Sequence, residues 1–444
     1  MHFTPDDLHR ALPAGRAARY LIAYSGGLDS HVLLHAMQHL GTQHPEISLA
    51  AVHIHHGLHP QADQWAQHCM TVGAALGVSC QVLRVQAQAA VGDSPEDAAR
   101  RARYRALRAQ VQAGDCLLTA HHQDDQAETL LLQLLRGSGP AGLAGMPARR
   151  AFGAGELARP LLAVSRAALY DYAQQHGLQW VEDESNAHTG FDRNYLRHEI
   201  MPRLRARWPA TAGALARSAM HCGSAAELLN SVARQDLPAL RGPTAATLQI
   251  ERLAALAAAR QANALRAWLQ ELQLPTPSTK QLRAAQKMLY TAIDASPCVR
   301  WPGAELRRYR DLLYAMAPLP MHDASAVLPW DIGAPLQLPR GAGQLHSVCV
   351  VGEGLSAALR AQHITIRYRR GGECCKPVGR DHHHELRKLF QEAGVPPWQR
   401  DRIPLVFVDD ALAAVIGFWI CEPFQAPPHS AGLRVEWRAS PSAG

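Results

Sequence analysis

The stretch Ser25-Gly26-Gly27-Leu28-Asp29-Ser30 puts two glycines and an acid into six residues. Successive backbone N–H groups in such a turn, with the positive end of a following helix, make an anion cradle suited to a pyrophosphate. A Walker-type loop would add a lysine on the terminal phosphates. The chain has four lysines, Lys280, Lys287, Lys376 and Lys388, so the first 279 residues hold none. That excludes a Walker loop and a Schiff-base lysine from this region. Asp29 points elsewhere, because a carboxylate beside phosphates is repulsive unless Mg2+ bridges them. The plain alternative is an ordinary strand-to-helix turn. A second chemical pair, Asp125 and Glu128 in AHHQDDQAETLLLQLL, sits one helical turn apart. These acids either steady the first turn through the helix dipole or hold a cationic substrate or Mg2+.

The elements that must position these groups follow from local pattern. YLIAYS is a short apolar run, the glycines punctuate it, and Val32, Leu33, Ala36, Met37 and Leu40 share a helical face. ISLAAVHIHHG and SCQVLRVQ read as second and third strands of a parallel sheet, and CLLTAHH as a strand ending at His121. SPEDAARRARYRALRAQ starts a helix capped by Ser94, with Asp97 closing the box. GSGPAG at 137–142 satisfies the dinucleotide fingerprint but follows a helix, so it reads as a flexible substrate loop. His31, His35 and His39 lie opposite the apolar face and are expected on a solvated surface rather than on a metal.

With 444 residues and 47% hydrophobic composition, the chain has room for two or three domains. It has no apolar run of about 18 residues, and acids stand near its start, so a soluble, cytoplasmic protein is expected. Nine scattered cysteines without a C-x-x-C fit reduced thiols. Cys374-Cys375 before His382–His384 is poor zinc geometry. Residues 1–209 hold 19 arginines and 19 acids, whereas residues 210–444 hold 26 basic and 19 acidic residues, which is the whole net charge of +7. A balanced first part suits ATP, Mg2+ and a small cation, and a basic second part suits a polyanion such as nucleic acid. A solvated basic surface is the bland alternative. Residues 211–290 are Ala-rich and read as helical, Pro- and Gly-containing connections follow, and a last basic segment with strands around one helix begins near Ile364. The tail RASPSAG is expected to be disordered.

SGGLDS resembles the PP-loop of the N-type ATP pyrophosphatases, which cleave ATP between its α- and β-phosphates. The resemblance explains the missing lysine, since no γ-phosphate has to be guided. AHHQDDQAET, RGSGPAGLAGM and FDRNYLRHEIMPRL, in this order over roughly residues 20–208, narrow it to the tRNA(Ile)-lysidine synthetases. KLFQEAGVPPW near the other end is similar to their C-terminal domain. The implied fold is a parallel α/β PP-loop ATPase domain, of the adenine nucleotide alpha hydrolase type, over 1–209. A mainly helical tRNA-positioning domain over 210–345 and a basic α+β tRNA-binding domain over 362–438 are implied to follow. The implied reaction adenylates the C2 oxygen of the wobble cytidine in a CAU anticodon, after which the ε-amine of free lysine attacks C2 and expels AMP.

The resemblance also distributes roles. Ser25, Gly26, Gly27, Leu28, Asp29 and Ser30 would bind ATP, with Asp29 on Mg2+. Arg100 and Arg103, in ARRARY, would touch ATP or RNA phosphates. Asp125 and Glu128 would hold the ammonium groups of lysine, and a nearby carboxylate or His121 would accept the amine proton. Arg193, Asn194 and Arg197 would face the RNA or the lysine carboxylate. Arg369, Arg370, Arg380 and Arg387 would contact tRNA phosphates. A homodimer is compatible with all of this. Two other readings remain, a PP-loop tRNA thiolase and a catalytically silent tRNA-binding protein. A thiolase needs a persulfide cysteine or an iron–sulfur triad, which Cys69, Cys80 and Cys116 do not resemble.

Overall fold

The computed structural model describes residues 2–13, 17–57, 59–86, 95–183, 189–292 and 295–438. The cap expected at Ser94, the side chain of Asp97 and the last six residues of the tail lie outside the description. The chain folds as two compact units, 1–232 and 233–444.

In the first unit, helix α1 (Pro5–Ala11) precedes strand β1 (Arg19–Ala23), and the glycine turn leads into α2 (Leu28–Gln43). There follow β2 (Leu49–His55), α3 (Ala62–Ala75), β3 (Ser79–Arg84), α4 (Pro95–Gln110), β4 (Asp115–Leu118) and α5 (Gln123–Leu135). The strands stand in the order β3-β2-β1-β4, and this run is parallel. The sheet then gains β6 (Gly155–Ala158), parallel to β4, and an antiparallel edge strand, β5 (Arg149–Phe152). All four residues of β4 are buried, which is why central strands of a sheet covered on both faces read as unbroken apolar runs. Val32, Leu33, Leu34, Met37 and Leu40 of α2 pack on one face with Leu169 and Tyr172 of α7 (Arg166–Gln175). Leu107 and Val111, from α4 and its end, pack on the other against Leu21, Val52, Leu117 and Leu157.

The chain leaves β1 toward β2 on one side, while β4 lies on the other. Beyond the carboxyl ends of strands at such a switch point is the place where open α/β sheets bind ligands. The chain reaches it again through α8 (Asp192–Tyr195), one π-helical turn (Leu196–Ile200) and α9 (Met201–Arg207), which pack with α10 (Thr211–Leu240) on α5 through Ala127, Leu131, Met201, Leu204, Ala212 and Leu215.

Two local expectations change. His31 is buried between Tyr24 and His68, and His35 is half-buried with Nδ1 2.9 Å from Tyr172 Oη, so only His39 meets the solvated expectation. The reason is that α2 is covered at His31 by Tyr24 and by His68 of α3, and at His35 by Tyr172 of α7. GSGPAG forms a short helix, α6 (Pro140–Leu143), and the stretch behind it is pinned by Gln126, whose amide exchanges hydrogen bonds of 2.9 and 2.7 Å with the backbone of Met146.

In the second unit, helices Ala258–Glu271 and Thr279–Met288 cover an antiparallel sheet of Thr247–Gln249, Leu312–Met316, Ala304–Tyr309 and Cys298–Trp301 around Trp268 and Leu265. The segment 210–345, expected to be mainly helical, therefore includes this whole four-stranded sheet, whose alternation (Leu312–Met316 is buried at alternate positions) is a weak local signal. Farther on, Val327–Pro329, Ile364–Arg367, Leu405–Val408, Ala411–Val415 and Trp419–Ile420 form one antiparallel sheet. Gln344–Val351 pairs over its full length with Ala431–Arg438 in another. Among the described residues no helix is long and apolar enough to cross a membrane.

Candidate active site

The turn after β1 needs glycine. Gly26 has φ +85, and a Cβ there would stand 3.0 Å from Cys69 Sγ. Gly27 caps α2 without a side-chain hydrogen bond, so no side chain competes for the first-turn N–H groups. The loop is braced from within: Ser30 Oγ donates to the Gly27 carbonyl at 3.0 Å and accepts from the Ser25 N–H at 3.2 Å, and the Ser25 hydroxyl lies 2.9 Å away. Asp29, in the first turn of α2, has Oδ1 buried with no partner and Oδ2 3.5 Å from His122 Nε2.

That histidine joins the loop to α5. It is 2% exposed and caps the helix, its backbone N–H donating to Asp125 Oδ2 at 3.0 Å while its Nε2 stands 3.5 Å from the same oxygen. Burial works against its charge, but the carboxylates of Asp29, Asp125 and Asp124 outweigh burial and raise its pKa above the usual imidazole value. Asp125 is the mirror case. Burial would push it up, and His122, Arg193 and His121 hold it below the usual carboxylate range.

Glu128, one turn on, is buried and accepts from both Arg193 Nε at 2.9 Å and Arg197 Nε at 2.7 Å; Arg197 also reaches Asp125 Oδ1 at 3.1 Å. Arg193 and Arg197 come from α8 and the π-helical turn, and such turns often mark functional segments. Asn194 follows Arg193 on the same short helix. The two acids expected to be free for an ammonium are thus already paired with two guanidiniums, giving a charge-balanced cluster of four. Asp124, by contrast, accepts from the Arg166 N–H and pairs with Arg205, a structural fixture of α5.

The remaining expected residues distribute as follows. His121 Nδ1 is 2.9 Å from Thr119 Oγ1, and burial, aided by the charges of Arg159 and Arg103, pushes its pKa down to about 3 against the pull of Asp125. Arg100 and Arg103 lie on α4 with their guanidiniums over the Tyr104 ring. In the second unit Arg369 pairs with Asp401 at 2.8 Å, Arg370 donates to the Ala324 and Ser325 carbonyls and Arg380 pairs with Glu392 at 2.8 Å, so these three spend their charge or donors internally. Arg387 is exposed. Sequence reasoning missed His122 and Arg159. The signal for His122 was its place just before the first helical residue, a capping position; Arg159, 4% exposed at the end of β6, had none.

Oxygen donors suit Mg2+, and the buried, unpartnered Asp29 Oδ1 is such a donor. Among the described residues no group of three or more His, Cys, Asp or Glu could cage a metal. An ion held by one or two carboxylates would complete its shell with phosphate oxygens, as Mg2+ commonly does.

A parallel sheet whose switch point carries a lysine-free glycine turn beside paired acids defines a nucleotide-binding domain of the PP-loop class. The PP-loop domain family model matches residues 6–204, the TilS substrate binding domain residues 248–314 and the TilS substrate C-terminal domain residues 364–437. A tRNA(Ile)-lysidine synthase of Coxiella burnetii is 44% identical over 98% of this chain and 96% of its own. Those of Methylococcus capsulatus, 44% identical over 98% of this chain and 100% of its own, and Alkalilimnicola ehrlichii, 45% identical over 96% and 95%, agree. The chain belongs to the tRNA(Ile)-lysidine synthase family.

Proposed function

We propose that this protein joins lysine to C2 of the wobble cytidine in the CAU anticodon of tRNA(Ile), using ATP and releasing AMP and pyrophosphate. The observation that carries the reading is the lysine-free cradle of α2 joined, through His122, to the acid and guanidinium cluster of α5 and α8. In the first half-reaction the C2 oxygen attacks the α-phosphorus of ATP and pyrophosphate leaves. The Ser25–Ser30 turn binds and orients the phosphates, with Asp29 as the Mg2+ ligand. A Mg2+ held by Asp29 would supply positive charge against the departing pyrophosphate. Arg100 and Arg103 contact phosphates of ATP or of the RNA.

In the second half-reaction the ε-amine of lysine attacks C2 and AMP departs with the former C2 oxygen. Free lysine carries both signs of charge, and a neutral cluster of two carboxylates and two guanidiniums can receive it by exchanging partners. Asp125 meets an ammonium; Arg193, Arg197 and Asn194 face the lysine carboxylate or the RNA; Glu128 acts chiefly through the guanidiniums it holds. His121, uncharged near neutral pH, or a nearby carboxylate takes the amine proton. With a pKa of about 3, His121 is a weak base at neutral pH, far from the near-neutral value that suits a general base. Residues 1–209 carry the chemistry, 210–345 position the tRNA and 362–438 bind it, with Arg387 the most available of the four basic candidates there.

Incubation with ATP, radiolabelled lysine and tRNA(Ile) bearing CAU tests the reading. Label should enter the tRNA with one AMP formed per lysine. AMP formation without lysine incorporation, or sulfur incorporation when a sulfur donor is supplied, would sink it.

A further inference from the structure

Three guanidiniums converge on one aromatic ring at the margin of the catalytic sheet. The Cζ atoms of Arg100, Arg103 and Arg150 lie 5.0, 5.5 and 5.7 Å from the centroid of Tyr104. Arg159, at the end of β6, adds a fourth cation whose Nε is buried without a partner, although its other end donates to the Pro147 carbonyl at 2.8 Å. Among the described residues, none of Arg100, Arg103 and Arg150 forms an ion pair with a carboxylate. Cation–π attraction to a ring face offsets part of the mutual repulsion of such a group, and only part. Burial first, then the like charges of Arg100 and Arg193, lower the pKa of Arg103, a sign that the cluster is under electrostatic load.

What relieves such a load is an anion with several charges, and its position says which one. Arg150 stands on β5, the edge strand, and the order β1-β4-β6-β5 places that edge three strand spacings, about 14 Å, from the strand that leads into the phosphate cradle. Arg100 and Arg150 are exposed. The cluster therefore runs from Arg103 and Arg159, whose charges are felt by His121, out to the exposed edge strand, a path that a chain of phosphates follows.

We propose that Tyr104 and its arginines form a seat for the phosphodiester backbone of the substrate RNA, flanking the switch point of the sheet, with Tyr104 as the positioning residue that aims Arg100, Arg103 and Arg150. This deepens the reading of the chain as an RNA-modifying ligase and rests on it. Arg150 is the informative member, since neither the glycine turn nor the acid pair involves it.

The test uses the full chain with tRNA(Ile) and, separately, ATP. Arg150→Ala and Arg100→Ala should each weaken tRNA binding about three- to tenfold at moderate salt and flatten the log–log salt dependence by about one unit. For Arg150→Ala, whose side chain has no part in the phosphate cradle, ATP affinity measured without RNA should stay unchanged. Tyr104→Leu should lose affinity with less change of slope, because the charges remain but are no longer aimed, and Tyr104→Phe, which keeps the ring, should restore it. Loss of ATP affinity with tRNA binding intact would assign the cluster to nucleotide phosphates and overturn the proposal. No change in either would make it packing alone, with the same consequence. If wild-type protein fails to bind tRNA at any salt, the broader functional reading fails instead.

Discussion

The most telling atom at the residue scale is Asp29 Oδ1, buried and unpartnered beside an anion cradle. A buried carboxylate oxygen without a partner costs free energy unless function supplies one. Asp29→Ala should therefore abolish AMP formation and leave tRNA binding nearly intact, as read by AMP chromatography and a filter-binding titration; normal ATP turnover in the variant would refute the metal role. Glu128 makes a different case. It bridges Arg193 and Arg197, 65 and 69 positions away in sequence, so Glu128→Gln breaks a buried charge network and should cost about 3 kcal/mol of stability in urea unfolding. Asp125→Asn, by comparison, should raise the lysine requirement about tenfold while sparing AMP transfer to tRNA, because ATP and the cytidine do not depend on that acid. Equal loss in both half-reactions would move Asp125 to the phosphate side. The sequence disclosed Asp29 because glycines and acid are contiguous. The arginine partners of Glu128 stayed hidden because pairing across 65 residues is set by the docking of α8 on α5, not by any local pattern.

At the scale of elements, the strands of the first unit were legible and the sheet of the second was not. Buried parallel strands separated by amphipathic helices announce themselves, whereas Thr247–Gln249 and Leu312–Met316 are short, and gain their apolar partners only when brought together. The element ends also set a pH dependence. His31 in α2, His56 after β2 and His121 after β4 are pushed down, by burial foremost, to about 4, about 4 and about 3. In the unfolded chain each titrates near 6.5. The unfolded state thus binds protons that the folded state refuses, and stability falls as pH drops below about 6.5, by at most ~1.4 kcal/mol per pH unit for each group. His122 opposes the trend: its pKa is raised, so its contribution is complete below about 6.5 and is lost as pH rises through the higher folded value. With these three, and His35, His53, His68 and His322 also held down by burial, against His122 alone, the urea midpoint should decline between pH 7 and pH 5, and His121→Gln should flatten the decline. A midpoint constant over that range would contradict the burial of these rings.

For the whole molecule, the charge split remains the broadest signal: the first 209 residues are balanced and the excess lies beyond them. Removing the basic end should weaken tRNA binding and flatten its salt dependence. The structure chooses where to cut. Val327–Pro329 pairs with Ile364–Arg367 and Gln344–Val351 pairs with Ala431–Arg438, so a chain ending near 362 would strand two paired segments. A chain ending at Pro320 removes both sheets entire, and its affinity across a salt series is the measurement; an unchanged slope would deny this region an RNA role. A boundary near 362 suggested itself in the sequence because the basic run starts there, while the strands before it look like linker until their distant partners are known.

The pairing of Gln344–Val351 with Ala431–Arg438 also bears on how the chain is made. About 80 residues separate the two strands, and at roughly 5 to 20 residues per second the ribosome needs some 4 to 16 seconds to deliver the second after the first. The earlier strand waits through that interval with its hydrogen-bonding edges bare, a template for any passing strand. The first unit has a wait of its own, since β1 pairs with β4 across about 90 residues, but it is drawn from 1–232 and all its strands have emerged before Gln344–Val351. A cell making this protein therefore holds a population of nascent chains whose nucleotide-binding half can be complete while the distal half is still open to misassembly, and slow codons between 352 and 430 would lengthen that exposure.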